Sequence, residues 1–466
     1  MNNKKEKLNV GLYDRYTIKI LNQRQFFANE NGDPLHAAFD KRVVIHPGRG
    51  GQPVAPRDIP RIWEQAMVTT GEKGKRAAYF HIPFCSSRCL YCGFYSYATK
   101  EREMDRYIDY LIKELAMVRD SPFINSHPFH AIYIGGGTPT DLSSTNLLRL
   151  LEEAIQDYLP LANDCEITVE GRLWGFSDDK ISACIEGGAN RFSFGVQSFN
   201  TFVRRKMGRI LTKEEVIKRL EYIRDLDQTV VVIDLIYGLP YQTMEIWEDD
   251  IKTFLELELD GIDLYQLIIF KDRPLGKAIE EKTMIAADVA MQADMFARGV
   301  ELMKSARYRR LSKSHWARTT RERNIYNAMS HLPGSICIPF GCGAGGWLKG
   351  YSFFQDRDLE SYYQKIDKGY KPIAMCLKQP AYSDLFKEIV GQMKLGYCKL
   401  RELGKRYGFN LEEIFAPILE QWERVGLVKI RDGCLELTLA GEFWMENLSQ
   451  NLIDYFTLVI ENKMKH

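Results

Sequence analysis

Three cysteines, Cys85, Cys89 and Cys92, stand at the spacing Cys-x3-Cys-x2-Cys, led in by Tyr79-Phe80-His81-Ile82-Pro83-Phe84. An apolar run delivers them into a loop. Thiolates are the usual protein ligands of iron–sulfur clusters. Three of them hold three irons of a [4Fe–4S] cube and leave the fourth iron open to a further ligand. A cluster with an open iron can do chemistry. The other seven cysteines (Cys165, Cys184, Cys337, Cys342, Cys376, Cys398 and Cys434) are scattered and read as small buried hydrophobes. The basic start of the chain is not followed by an apolar segment, so no export signal is expected. Metal binding in a reducing cytoplasm is therefore favoured over a disulfide scaffold.

The other residues that stand out fall at the ends of short β-rich runs. Gly135-Gly136-Gly137-Thr138-Pro139-Thr140 follows Ala131–Ile134, and Glu170-Gly171-Arg172 follows Glu166–Val169. Gln197 closes Arg191–Val196, and Asp234 lies inside Val230–Ile236. With Ala77–Ile82 and Ile262–Leu267 these make six strands. Helical patterns lie between them at Met104–Val118, Asn146–Tyr158, Asp178–Glu186, Lys213–Asp225 and Met244–Leu259. Strands alternating with helices form parallel βα units, either an open doubly wound sheet or a partial TIM-type barrel. In both, sites form at the carboxyl ends of the strands. Five motifs at the same end of five strands point to one active site.

Each motif also has a bland reading. The glycine run can be a tight turn, or can let backbone N–H groups approach a carboxylate or ribose. Glu170 can be a cap or a ligand contact. An unpaired carboxylate among Val230-Val231-Val232-Ile233 is costly, so Asp234 needs a donor, and a ligand hydroxyl is one candidate. Arg209, within Arg204-Arg205-Lys206-Met207-Gly208-Arg209, reads on physics alone as a solvated surface charge.

A net charge of +1 calls for neither nucleic acid nor an anionic membrane surface. No apolar run reaches the length of a membrane span. Residues 1–75 read as an extension with two histidines, His36 and His46, of structural or solvated character. Residues 76–270 read as the barrel and 271–375 as its substrate-side continuation. Residues 376–466 form a helical, winged-helix-like domain whose hairpin turns at Asp432-Gly433.

The cysteine loop, Gly-Gly-Gly-Thr-Pro-Thr, Gly195-Val196-Gln197-Ser198-Phe199 and Asp234-Leu235-Ile236-Tyr237-Gly238-Leu239-Pro240 together resemble the radical S-adenosylmethionine (SAM) enzymes, over about residues 76–445. More narrowly, the chain resembles their coproporphyrinogen-dehydrogenase-like branch. The resemblance implies a partial (β/α)6 barrel, a [4Fe–4S] cluster on Cys85, Cys89 and Cys92, and two SAM molecules. Tyr79, Gly136 and Glu170 match positions that contact the cluster-bound SAM. Tyr91, Gly137, Thr138, Gln197, Arg209 and Asp234 match positions that hold the second.

The branch contains dehydrogenases of haem synthesis, haem chaperones and haem-utilisation methyltransferases. The dehydrogenases usually carry a fourth cysteine where this chain has Phe94, and the chaperones an Asn-Pro after the glutamate where it has Gly171-Arg172. The Glu-Gly-Arg form, the long leader and Phe340-Gly341-Cys342-Gly343-Ala344-Gly345-Gly346 resemble the methyltransferases of anaerobic haem breakdown. That implies methylation of haem, opening of the ring, release of iron and a linear tetrapyrrole. It also implies a one-electron donor of the flavodoxin kind. A coproporphyrinogen dehydrogenase and a haem chaperone are the alternatives. A macrocycle needs flat apolar walls and a few cations; Trp174, Phe270, Trp316 and Trp347 are wall candidates, with Arg307-Tyr308-Arg309-Arg310 and Lys313 for propionates. His315 reads as a satisfied structural histidine before a haem ligand.

Overall fold

Seven strands run parallel side by side and carry the functional residues at their carboxyl ends. The computed structural model describes residues 23–43, 51–71, 74–94 and 97–464. In chain order the parallel strands are β1 (Arg76–Ile82), β2 (Phe129–Gly136), β3 (Leu161–Gly171), β4 (Arg191–Gln197), β5 (Val230–Tyr237), β6 (Gly261–Gln266) and β7 (Ile336–Phe340). Their spatial order is β7-β1-β2-β3-β4-β5-β6 within a thirteen-stranded sheet. Antiparallel strands extend it beyond both ends: His315–Ala317 and Arg309–Arg310 beyond β6, and Gly345–Leu348, Tyr351–Gln355, Ile373–Lys378 and Gln52–Pro53 beyond β7. The parallel run therefore does not close on itself, which makes it a partial barrel.

Six of these strands and their helices match the sequence expectation. Helix α1 (Glu101–Ala116) shows why. Met104, Tyr107, Ile108, Leu111 and Leu115 fall on one buried face, and Glu101 and Glu103 complement the dipole of the first turn. Helices α2 (Asp178–Glu186), α3 (Lys213–Asp225, opened by the Thr212/Glu215 capping box) and α4 (Met244–Glu256) follow β3, β4 and β5.

The seventh parallel strand, β7, is absent from the sequence reading. Pro339 sits inside it and cannot donate to a ladder. It is tolerated because the pairing of β7 with Gly345–Leu348 comes down to Cys337↔Trp347. The Pro339 carbonyl accepts from Gln355 Nε2 (2.6 Å) and Lys371 Nζ (2.7 Å).

The molecule divides into two units. The larger comprises residues 50–287 and 298–381; the smaller joins 288–297 and the described parts of 1–49 and 382–466. The extension is thus split between them. Gln52–Pro53 pairs with Ile373–Lys378 and Trp63 packs edge-on to Phe353, so residues 51–71 belong to the barrel unit. Residues 23–43 belong with the C-terminal helices: Trp422 Nε1 donates to the Phe26 carbonyl, and Gln421 bonds Ala28 in both directions. His36 pairs with Asp33 and Asp294, a structural role, while His46 lies outside the described residues. In the same unit the hairpin Val428–Arg431/Cys434–Leu437 turns at Asp432 and Gly433, both at positive φ as a type I′ turn requires.

Candidate active site

The parallel register sets the site residues in rows. Tyr79 lies opposite Tyr133, His81 opposite Gly135, Gly195 opposite Asp234, and Asp234 opposite Asp263. Cys85 and Cys89 are buried just beyond β1. The Thr138 hydroxyl, from the glycine-rich loop, donates to Cys85 Sγ at 3.2 Å, and the Phe94 N–H reaches Cys92 Sγ at 3.3 Å. Burial pushes the Cys85 thiol up to about 11. Burial also opposes the Cys89 thiolate, but Arg209, Arg172, the Tyr91 hydroxyl and Arg204 outweigh it and hold this thiol below its ordinary value. Among the described residues no three His, Cys, Asp or Glu side chains converge on a single-ion site. Three thiols in one loop are a donor set of the kind that iron–sulfur clusters take.

The glycine run works differently from the expectation. Its N–H groups are already spent: Gly136 donates to Glu170 Oε2 (3.3 Å), Gly137 to the Ile82 carbonyl (2.7 Å) and Thr138 to the Phe84 carbonyl (2.7 Å). The glycines serve close approach instead. A Cβ on Gly137 would lie 2.5 Å from the Phe84 carbonyl oxygen, and one on Gly136, at φ +107°, would meet the His81 ring at 2.5 Å. The run therefore presses the β2 end against the cysteine loop.

Two groups of side chains result. In the first, Glu170 lies near Tyr79, Tyr133 and Asp234, and the Tyr79 hydroxyl contacts His81 Nδ1 at 3.0 Å. Burial raises Glu170 to about 7 and lowers His81 to about 4, which keeps the imidazole neutral at pH 7. Burial, followed by Asp263 and Glu170, raises Asp234 well above the usual carboxylate range. Among the described residues nothing donates a hydrogen bond to its carboxylate. In the second group Arg209 is only partly exposed and turned to the cysteine loop. Its Nε and Nη2 donate to the Tyr91 hydroxyl at 3.3 and 3.2 Å. Gln197 sits at a β-bulge with φ +73°, and its Oε1 is buried without a partner among the described residues. An orphaned acceptor on a strained backbone is what a polar ligand beside Gln197 would explain. The residues matched to SAM fit that group.

Glu170 gives a pH prediction. Its folded pKa of about 7 exceeds the ordinary 4.5, so the free protein is favoured by its proton below pH 4.5 and loses that stabilisation as pH rises through 7. Glu170→Gln is expected to raise the thermal midpoint of the cluster-free protein at pH 8. In the reconstituted protein it should weaken SAM binding by about 2 kcal/mol, roughly 30-fold in Kd, by removing one charged partner. Melting curves and equilibrium dialysis check the two halves.

A buried network escaped the sequence reading. His315 Nδ1 meets Asp263 Oδ2 at 2.7 Å and its Nε2 meets Glu322 Oε1 at 3.1 Å; Arg191 Nε donates to Glu322 Oε2 at 2.9 Å. Both ring nitrogens are engaged, so His315 is a satisfied structural histidine. The sequence signal for Asp263 was its place on β6 beside Asp234, visible only once the register is known. Trp316 is buried with Arg310 over its ring, and Trp347 Nε1 donates to the Ser335 carbonyl; both are structural. Arg309 and Arg310 pair, through Trp316 and Ala317, with the amino end of β6, away from the site. Trp174 (39% exposed) and Phe270 (41%) do reach it. Trp174 lines a narrow cleft with Arg172, Gly195 and Arg209, and the Phe270 ring lies over Gly93, beside Cys92.

A partial barrel with a three-thiol loop at its mouth is the frame of a radical SAM enzyme. The model of the Radical SAM superfamily matches residues 79–254, and the chain belongs to that superfamily, in the branch of the oxygen-independent coproporphyrinogen III oxidases. It is 38% identical over 415 residues to anaerobilin synthase of Escherichia coli O157:H7, covering 89% of this chain and 92% of that one. It is 26% identical to the haem chaperone of Bacillus subtilis (79% of this chain, 96% of that). The solved coproporphyrinogen III oxidase of Escherichia coli, described as a radical SAM enzyme, shares the fold with a TM-score of 0.74 at 21% identity, over 84% of this chain and 93% of that one.

Proposed function

We propose that this chain is an anaerobic haem-degrading radical SAM methyltransferase: it methylates haem and opens the porphyrin ring, releasing iron and a linear tetrapyrrole. The observation that carries this is the end-to-end 38% identity to anaerobilin synthase, against 24–27% to the oxidases of the branch. Phe94 at the fourth-cysteine position of the dehydrogenases points the same way. No helix among the described residues is long and apolar enough to cross a membrane.

Cys85, Cys89 and Cys92 would hold the [4Fe–4S] cluster, and Tyr79, Gly136 and Glu170 the SAM on its open iron. Bound there, cluster and SAM supply one-electron cleavage and a carbon radical. The protein's part is to orient and to keep water out. Glu170 presents a partly exposed carboxylate at the end of β3, where a charge-assisted bond to an ammonium is available. Gln197, Arg209, Tyr91, Gly137, Thr138 and Asp234 would hold a second SAM beside the first, its methyl near the reactive centre. Fixed proximity of that kind removes several kcal/mol from a bimolecular step. Trp174 and Phe270 offer apolar faces to a flat macrocycle at the mouth.

The test is an anaerobic incubation of reconstituted protein with SAM, a one-electron donor such as reduced flavodoxin, and either haem or coproporphyrinogen. Loss of the haem Soret band with a methylated open-chain product is the expected result. Protoporphyrinogen from the second substrate, or haem handed on intact, would overturn it.

A further inference from the structure

Glu170, Gly171 and Arg172 act as one device, and its last member reaches the cysteine loop. The Arg172 guanidinium donates through Nη1 to Ser87, to the carbonyl at 2.8 Å and to Oγ at 2.5 Å. Ser87 lies between Cys85 and Cys89. The backbone of Arg172 is itself pinned: its N–H donates to Thr140 Oγ1 (3.0 Å), and the Thr140 hydroxyl lies 3.1 Å from the Arg172 carbonyl. Only glycine fits at 171, because a Cβ there would come within 2.3–2.8 Å of the Thr140 side chain. Three chain segments are thereby tied at one point: the end of β3, the loop after β2 and the cysteine loop.

The charge matters as much as the hydrogen bonds. Arg172 is 9% exposed and no carboxylate forms an ion pair with it among the described residues. Its guanidinium lies against Ser87, two residues from Cys85 on one side and from Cys89 on the other. A desolvated, unneutralised cation favours whichever neighbouring state carries more negative charge. For a thiolate-bound iron–sulfur cluster that is the reduced state, since net charge and hydrogen bonding near the sulfurs set the potential. Both bonds come from the one nitrogen, and arginine suits the place because it is long enough to reach Ser87 and stays charged when buried.

We propose that Arg172 is a positioning residue for the cluster: it fixes the cysteine loop through Ser87 and raises the reduction potential of the cluster held there. This rests on the assignment of the cluster to Cys85, Cys89 and Cys92. Glu170-Gly171-Arg172 then joins the SAM-contacting carboxylate to the loop that holds the iron, so that binding at one is felt at the other.

The experiment compares reconstituted wild type, Arg172→Gln and Arg172→Lys by iron content and by an EPR-monitored redox titration. Wild type without iron and sulfide would refute the cluster assignment itself. With wild type loaded, the expected result is a midpoint shifted negative in Arg172→Gln and near wild type in Arg172→Lys, which keeps the charge. Equal midpoints in all three would overturn the electrostatic role. The positional role is read in the cluster-free proteins as the rate of alkylation of Cys85, Cys89 and Cys92. Arg172→Lys, whose side chain is one bond too short to put its nitrogen where Nη1 lies, and Ser87→Ala, which loses one acceptor, are expected to react several-fold faster than wild type. Rates equal to wild type would overturn the clamp, and this arm stands even where Arg172→Gln does not accumulate as folded protein.

Discussion

Cys89→Ala is expected to abolish turnover completely while leaving a folded protein. Cys89 is the middle thiol of the loop, nearly inaccessible to solvent, and the arginines around it hold it below its ordinary value. Two remaining thiols cannot hold three irons of a cube, and with no cluster no electron reaches SAM. The cost to the fold is small. Alanine removes one sulfur from a site where Arg209 keeps its two bonds to the Tyr91 hydroxyl and Arg172 keeps both bonds to Ser87. A destabilisation of about 1 kcal/mol is expected for the cluster-free protein. The measurements are iron and sulfide content, 5′-deoxyadenosine formation and a melting curve. Retained turnover would contradict the cluster assignment, and a collapsed melting curve would show that the thiol is structural.

How far the chain could be read in advance depended on whether a signal was local. The six strands and the five helices between them were legible because each strand is a short apolar run and each helix carries its own periodicity. β7 was not, because Pro339 breaks the pattern and only the neighbouring strands make it tolerable. The convergence of motifs at the strand ends was legible, and so was the weight of Asp234, a carboxylate that apolar neighbours could not satisfy. Arg209 misled on physics alone: in a basic stretch it looked solvated, and only the fold brings Tyr91 over to it. Long-range pairs were invisible for the same reason. Asp263, His315, Glu322 and Arg191 are spread over more than a hundred residues of sequence and mean nothing until the register puts them side by side. Arg172 was noticed as part of a family-like tripeptide, yet its partner, Ser87, is named only by the structure.

Asp234→Asn is expected to separate the two SAM sites, and its two effects run in opposite directions. In the free protein the Asp234 carboxyl faces Asp263 on the adjacent strand and Glu170 on the other side, with no donor of its own among the described residues. Replacing it with a neutral amide of the same shape removes like-charge repulsion, so the ligand-free protein should melt at a higher temperature. In the loaded protein the same change removes a charged acceptor from the proposed second SAM. A charge-assisted bond of that kind contributes about 1.5–3 kcal/mol, so binding there should weaken roughly 10- to 150-fold. Tyr79, Gly136 and Glu170 are untouched. The variant should therefore still bind the first SAM and form 5′-deoxyadenosine, but transfer no methyl group to haem. Equilibrium dialysis should then count one SAM per loaded protein where wild type holds two. If the variant keeps a stoichiometry of two and its full methyl transfer, Asp234 belongs to the fold and not to the ligand. The paired rise in melting temperature and loss of transfer is the signature of a carboxylate kept for its ligand.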